Sequence, residues 1–250
     1  NNMYLIGDIG NTDIKICIFD KNCKAVKKLI LKTNLISNKY LASNLNFLTK
    51  YSGKINIILF SSVVPPIYSV IKKFLKNKLK QKCIELKQLN LNKLVKIMVN
   101  KKQVGSDRIS NAIGIINKKS NYIILDFGTA TTFDVVIKDK YLGGVIAPGV
   151  NLSLKTLISK ASLIPPVNLS KISKIVGTNT SSAVKSGFYW GYAGLIDNVI
   201  KLIIKQTNKP FKIILTGGLA NLYKNTIKGK IEVKKDLTLN GLLKVAKNLK

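Results

Sequence analysis

Asp8-Ile-Gly-Asn-Thr12 and Asp126-Phe-Gly-Thr-Ala-Thr-Thr132 say nearly the same thing twice. Each follows an apolar run with strand character, Tyr4-Leu-Ile-Gly7 before the first and Tyr122-Ile-Ile-Leu125 before the second. Each leads into another such run, Ile14–Phe19 and Thr132–Ile137. An acidic residue, a glycine and hydroxyl side chains between two strands make a hairpin suited to a nucleotide. The glycine lets backbone approach phosphate oxygens, amides and hydroxyls donate to them, and the carboxylate can hold hydrated Mg²⁺. One such loop would be an ordinary turn. Two of them in a chain of 250 residues predict a duplicated domain with a nucleotide clamped between the halves.

Working outward, the first half reads as strands Tyr4–Asp8, Ile14–Phe19 and Ala25–Leu31, and a helix over Lys39–Lys50. A buried strand Ile55–Phe60, a helix after Pro66 and a short strand near Cys83–Leu86 follow. Asp107–Asn117 reads as a linking helix whose start is marked by Gly105-Ser106. The second half repeats strand, loop and strand, and adds a third strand near Tyr141–Val145. Helices Val150–Ser159 and Thr180–Gln206, a strand Lys212–Thr216, a helix from Leu219 and a last helix Asn240–Leu249 complete it. No low-complexity linker intervenes, so the boundary is expected as a hinge near residues 104–120, with domains 1–115 and 116–250.

Composition narrows the chemistry. An apolar content of 46% argues for a globular protein. The absence of an uncharged apolar run of about 18 residues argues against a membrane helix. The opening Asn1-Asn2-Met3 lacks a basic-then-apolar leader and leaves Met3 as a plausible initiator. Three cysteines, Cys17, Cys23 and Cys83, match no metal spacing and read as reduced thiols of a cytoplasmic protein. With no histidine, any general base must be a carboxylate, Lys, Tyr or Cys, and the chain has 11 carboxylates.

A net charge of +31 invites a nucleic-acid reading. Lysines, however, are spread in ones and twos without interleaved aromatics, and all but one of the 42 basic residues are lysine. The abundance of Lys, Asn and Ile fits an AT-biased genome. Nucleic acid is therefore not expected as a partner, while the positive field would draw in anions such as ATP.

The order of elements is that of the actin-like ATPase superfamily, with two ribonuclease H-like domains, each a mixed sheet flanked by helices. More narrowly, the chain resembles the type III pantothenate kinases along its whole length. The segments that carry the resemblance are Asp8-Ile-Gly-Asn-Thr12, Ser61-Ser-Val-Val-Pro65, Gly105-Ser-Asp-Arg-Ile-Ser-Asn111, Asp126-Phe-Gly-Thr-Ala-Thr-Thr-Phe-Asp134 and Gly143-Gly-Val-Ile-Ala-Pro-Gly149. Gly177-Thr-Asn-Thr180, Ser186-Gly187 and Thr216-Gly-Gly218 continue it.

The resemblance implies ATP-dependent phosphorylation of pantothenate to 4′-phosphopantothenate, the first step of coenzyme A synthesis, by a homodimer. It assigns ATP contacts to Asp8, Ile9, Gly10, Asn11, Thr12, Asp13, Ile14 and Lys15, and to Thr129, Gly217 and Gly218. Asp8 would also hold Mg²⁺ through water, and Asp126 a monovalent cation, K⁺ or NH₄⁺. Asp107 would be the general base, and Gly105, Ser106, Asp107, Arg108 and Thr180 would meet pantothenate.

Residue chemistry supports some of these roles. A kinase acting on an alcohol needs a carboxylate within reach of the hydroxyl. A lone arginine beside that carboxylate suggests a need for the guanidinium fork, although a structural ion pair would account for it too. For Thr180 the competing reading is a helix cap, and for Thr216-Gly-Gly218 a plain strand-to-helix turn. Asp134 reads as either a supporting or a surface residue. Gly187, Gly191 and Gly194 recur at helical spacing beside Tyr189, Trp190 and Tyr192, which permits close packing internally or against a second subunit. Two departures from the family stand out. Met98 and Asn100-Lys101 stand where the family has a pocket tyrosine and an Asn-Pro pair, and Ser106 replaces a small alanine, a change expected to be harmless. The alternatives are another small-molecule kinase of the superfamily and a non-catalytic regulatory, nucleic-acid-binding relative.

Overall fold

The computed structural model describes residues 3–249. The chain forms two compact units. The first runs from the start of the chain to Ile116 and also takes in Asp139–Tyr141 and the C-terminal segment from Asp236. The second comprises Asn117–Lys138 and Leu142–Lys235. The chain passes from the first unit to the second after Ile116 and returns to the first from Asp236. The C-terminal helix returns to the first unit because its apolar face packs there.

The first unit opens with β1 (Met3–Ile9), β2 (Asp13–Phe19) and β3 (Ala25–Lys32). Helix α1 (Asn38–Asn44), strand β4 (Ile55–Ser62), helix α2 (Pro65–Leu79), strand β5 (Cys83–Glu85), the two-residue β6 (Lys96–Ile97) and helix α3 (Ser106–Ile115) follow. The sheet order is β3-β2-β1-β4-β5. β1 pairs antiparallel with β2 and parallel with β4, which puts Asp8 opposite Lys15 on one side and Ser61 on the other. The strands bury near-continuous apolar runs: Leu5, Ile9, Ile14, Ile16, Ile58 and Phe60 join Ile71 and Leu75 of α2 in one core. Each such side chain contributes roughly 1.5–3 kcal/mol on burial.

The second unit repeats the plan. Its strands are β7 (Asn121–Phe127), β8 (Ala130–Ile137) and β9 (Lys140–Pro148), whose first residues count with the first unit. Helices α4 (Val150–Lys160) and α5 (Thr180–Thr207), strand β10 (Lys212–Gly217), the one-turn α6 (Ala220–Tyr223) and strand β11 (Ile231–Val233) complete it. Helix α7 (Leu237–Lys247) closes the described chain. The order β11-β10-β7-β8-β9 mirrors the first sheet strand for strand, and β6 adds to it along Lys140 and Tyr141. β7 pairs antiparallel with β8 and parallel with β10, as β1 does with β2 and β4. Two mixed sheets of the same order, flanked by helices, make the duplicated ribonuclease H-like architecture.

Several elements differ from expectation. The helix expected over 39–50 stops at Asn44, whose side-chain amide bonds the Tyr40 carbonyl, and a 3₁₀ turn Asn46–Tyr51 takes over. The last helix begins three residues earlier than expected and ends at Lys247. The helix from Leu219 is a single turn. β6 and β11 were not expected; runs of two and three residues carry no readable alternation.

Candidate functional site

In the first unit, Asp8 lies at the end of β1, where the chain turns back at once: the Gly10 N–H bonds the Asp13 carbonyl at 3.0 Å. That leaves Asn11 and Thr12 exposed at the tip. Thr33 braces the turn from below, its hydroxyl on the Gly10 carbonyl at 2.8 Å and its N–H on the Thr12 carbonyl at 3.0 Å. Ile9 and Ile14 are fully buried, so they shape this hairpin from the core and any nucleotide contact they make runs through backbone. Asp13 is engaged by Lys32 at 2.6 Å, a surface ion pair. Lys15 sits half-buried across the ladder from Asp8.

Asp8 is itself held: Ser61 of β4 donates its hydroxyl to Asp8 Oδ1 at 2.6 Å. Among the described residues no group of three or more His, Cys, Asp or Glu could hold a metal. A lone strand-end carboxylate suits Mg²⁺ bound mainly by phosphates and water, which is how the small, reluctantly dehydrated ion binds nucleotides.

Gly105-Ser-Asp-Arg108 forms the head of α3, with Gly105 as the N-cap and no side chain capping the helix. Asp107 is half-buried in the first turn, and the Arg108 N–H donates to its Oδ1 at 2.8 Å. Withdrawal from water pushes its carboxyl above the ordinary Asp range. The Arg108 N–H, the Arg108 guanidinium, its own backbone N–H and the Lys87 ammonium pull the other way without prevailing. The result is a stronger base than a surface aspartate, seated at a helix start that favours anions.

The Ser106 side chain does not face a ligand. It is fully buried, donates to the Ser62 carbonyl and accepts from the Ser62 N–H, both at 3.0 Å. As a substrate contact it is thus restricted to its backbone, and its hydroxyl makes two buried hydrogen bonds that an alanine does not.

Two lysines escaped the sequence reading. Lys87 Nζ donates to the Lys102 and Val104 carbonyls at 3.0 and 2.9 Å, and Lys101 Nζ donates back to the Leu89 carbonyl at 2.9 Å. Together they lace down the loop that delivers Gly105. In a chain so rich in lysine neither position could be singled out. Met98, at the departure from the family, is 56% exposed.

In the second unit, Asp126 ends β7 opposite Thr216 of β10, repeating the pairing of Asp8 with Ser61. The turn Thr216-Gly-Gly218 therefore lies against the Asp126 loop, and the Gly218 N–H bonds the Phe127 carbonyl at 3.3 Å. Gly217 has φ +89°, and a Cβ there would come within 2.6 Å of the Phe127 carbonyl oxygen and 2.8 Å of Asp126 Oδ1. The structure thus brings Asp126, Gly217 and Gly218 together, with Gly128 and Thr129 exposed at the loop tip. Asp134 is fully buried, so the surface reading of it does not hold. Thr180 opens α5 but does not cap it. Asn179 does, accepting from the Ser182 N–H at 2.9 Å, and Thr180 is exposed.

With this geometry in view, the comparisons with known proteins are specific. Residues 4–202 match the family model described as type III pantothenate kinase. A type III pantothenate kinase of Pelagibacter ubique is 54% identical over 248 residues, covering 99% of this chain and 100% of the relative. One of Desulfosudis oleivorans is 37% identical, covering 96% and 97%. In fold, the chain is similar to the crystal structure of a ROK family glucokinase from Streptomyces griseus, with a TM-score of 0.57 at 9% identity, over 98% of this chain and 99% of that one.

Proposed function

This chain belongs to the type III pantothenate kinase family, and on that premise we infer that it phosphorylates pantothenate with ATP and a divalent metal, the first step of coenzyme A synthesis. Asp107 is proposed as the general base. It accepts the proton of the pantothenate hydroxyl as that oxygen attacks the γ-phosphorus and the bond to the ADP oxygen breaks. The observation that carries this role is the half-buried carboxyl of Asp107, raised by loss of water and placed in the first turn of α3.

Arg108 is proposed to hold the pantothenate carboxylate or the transferred phosphate oxygens through its two-pronged donor, with Gly105 and the Ser106 backbone beside it and Thr180 as a further substrate contact. For ATP, the proposed contacts are the hairpin from Asp8 to Lys15, and Thr129, Gly217 and Gly218. Mg²⁺ would neutralise phosphate charge, with Asp8 oriented toward its water shell by Ser61. Asp126 is proposed to hold K⁺ or NH₄⁺; its place beside the positive-φ Gly217 supports a role in an oxygen-lined niche.

Phosphorylation is tested in a coupled ADP-release assay with and without pantothenate and with and without K⁺. Turnover should require pantothenate and rise with K⁺. Asp107→Asn should abolish turnover while preserving the fold; near-normal turnover in that variant would remove Asp107 from the role of base. The folded state favours the neutral acid, so the ionised carboxylate costs stability at neutral pH. The Asn variant should therefore melt at or above the wild-type temperature.

A homodimer is also proposed. Gly187, Gly191 and Gly194 of α5 have no atom within 4 Å of where a Cβ would stand, so this stripe does not serve close packing among the described residues. Exposed Ile146, Leu152, Ile175, Val176 and Trp190 gather around the same half of α5. Tyr192 bonds Pro148 and Ser153 there, and Ser186 bonds Ile175.

A further inference from the structure

We propose that Thr33 is a positioning residue of the hairpin that meets ATP: it holds the Gly10 and Thr12 carbonyls back, so that the Asn11 and Asp13 N–H groups are turned toward phosphate oxygens. The inference rests on the ATP contacts proposed above for the hairpin from Asp8 to Lys15.

Thr33 directly follows β3 and is only 5% exposed, beneath a tip whose residues Asn11 and Thr12 are exposed. Both of its donors go to carbonyls of that one turn. The hydroxyl donates to the Gly10 carbonyl at 2.8 Å, and the N–H donates to the Thr12 carbonyl at 3.0 Å. A trans peptide sets its N–H opposite its C=O. Holding the Gly10 carbonyl therefore turns the Asn11 N–H away from Thr33, and holding the Thr12 carbonyl does the same for the Asp13 N–H. The Gly10 N–H is already committed to the Asp13 carbonyl at 3.0 Å, which closes a two-residue turn. In such a turn the Gly10 carbonyl would ordinarily take the Asp13 N–H in return. Here it accepts from Thr33 instead.

Gly10 is the reason a hydroxyl is needed. The turn leaves little room for a side chain there, since a Cβ would lie 3.0 Å from the Asp13 carbonyl oxygen. Yet a glycine lets the adjoining peptide plane rotate at little cost. If the Gly10–Asn11 plane turned over, the tip would present a carbonyl oxygen in place of a donor. Its contact with a phosphate would then change from attraction to repulsion. The Thr33 hydroxyl fixes that plane from the core side. The second sheet treats the same place differently. Gly149 directly follows the strand β9 there, and a Cβ on it would collide with the Thr129 carbonyl. In both repeats the residue after the third strand lies against a carbonyl of the loop tip, and only the first supplies a hydroxyl.

The test is equilibrium binding of a non-hydrolysable ATP analogue, expressed per folded protein, by Thr33→Val and Thr33→Ser. Val keeps the shape and the backbone N–H but removes the hydroxyl; Ser keeps the hydroxyl. Val should raise the dissociation constant by roughly ten- to hundredfold, as for lost hydrogen bonds to a charged group, and leave the pantothenate KM at saturating ATP within about twofold. Ser should bind the analogue as the wild type does. A hydroxyl that only supported the fold would lower Tm in the Val variant and leave the dissociation constant unchanged, and that outcome overturns the inference. So does a Ser variant that binds as weakly as Val. If the Val variant does not fold, Thr33→Cys, with a weak donor, takes its place. An intermediate loss of affinity is then expected, and wild-type affinity overturns the inference. Asn11→Pro, which removes the Asn11 N–H outright, separates the two levels. Wild-type affinity in that variant removes the hairpin from ATP binding, whereas weakened binding there beside an unaffected Thr33→Val removes the role of Thr33 alone.

Discussion

Asp107 and Arg108 are neighbours, and burial and the Arg108 groups act on the Asp107 carboxyl in opposite senses. Loss of water raises the Asp107 carboxyl, and the Arg108 N–H and guanidinium hold it back. In the role of base proposed for it Asp107 acts ionised, so the acid limb of the kcat–pH profile should lie above the ordinary Asp value of about 3.9. Arg108→Met removes a positive charge that favours ionisation, and the acid limb should move to still higher pH. A limb that stays in place or moves down would show that Arg108 does not act on Asp107. At this scale the sequence was informative where residue type is rare: a lone arginine and a handful of carboxylates in a chain without histidine stand out. Ser61, Ser62 and Ser106 lie in segments that carry the resemblance, but their mutual pairing was not legible, because a serine carries no sign of its partner. Their hydrogen bonds join residues more than forty positions apart.

Helices α3 and α7 interlock closely. A Cβ on Gly241 would lie 1.9 Å from the Ser110 carbonyl oxygen, and one on Gly114 would lie 2.9 Å from Leu237 Cδ1. Ser110 and Asn111 are fully buried and bond the Thr238 carbonyl and hydroxyl at 2.7 and 2.8 Å. At the far end Lys244 donates to the Ile113 and Ile116 carbonyls, both at 2.9 Å, and so closes the C-terminus of α3. Gly241→Ala must push α7 away from the helix that presents Asp107. The expected cost is about 3 kcal/mol, or a Tm lower by roughly 6–12 °C, together with reduced kcat. Gly53→Ala, where a Cβ meets nothing within 4 Å, is the control and should change stability by less than about 0.5 kcal/mol. An unchanged Tm in the Gly241 variant would show that the two helices can separate freely. The existence of both helices was readable from apolar spacing. Their mutual fit was not, because a glycine in a helix looks the same whether it faces solvent or another backbone.

Across the molecule, two sheets that share a five-strand order account for the two similar loops: each acidic residue lies at the end of the first of those strands, opposite a hydroxyl residue on the fourth. The exposed glycine stripe of α5 bears on assembly. Sedimentation equilibrium should give twice the chain mass, and Gly191→Arg should shift it to the monomer without changing far-ultraviolet circular dichroism. A wild-type monomer at micromolar concentration would remove the dimer. The order of elements along the chain and the two similar loops were legible because alternation, apolar runs and turn residues are local. The grouping of elements into units was not. The C-terminal helix joins the first unit, Asp139–Tyr141 crosses over with it, and the Ser61–Asp8 and Ser62–Ser106 hydrogen bonds join residues distant in the chain. Those pairings are chosen by packing and by the need to satisfy buried polar groups, which depend on three-dimensional proximity and leave no periodic mark in the sequence.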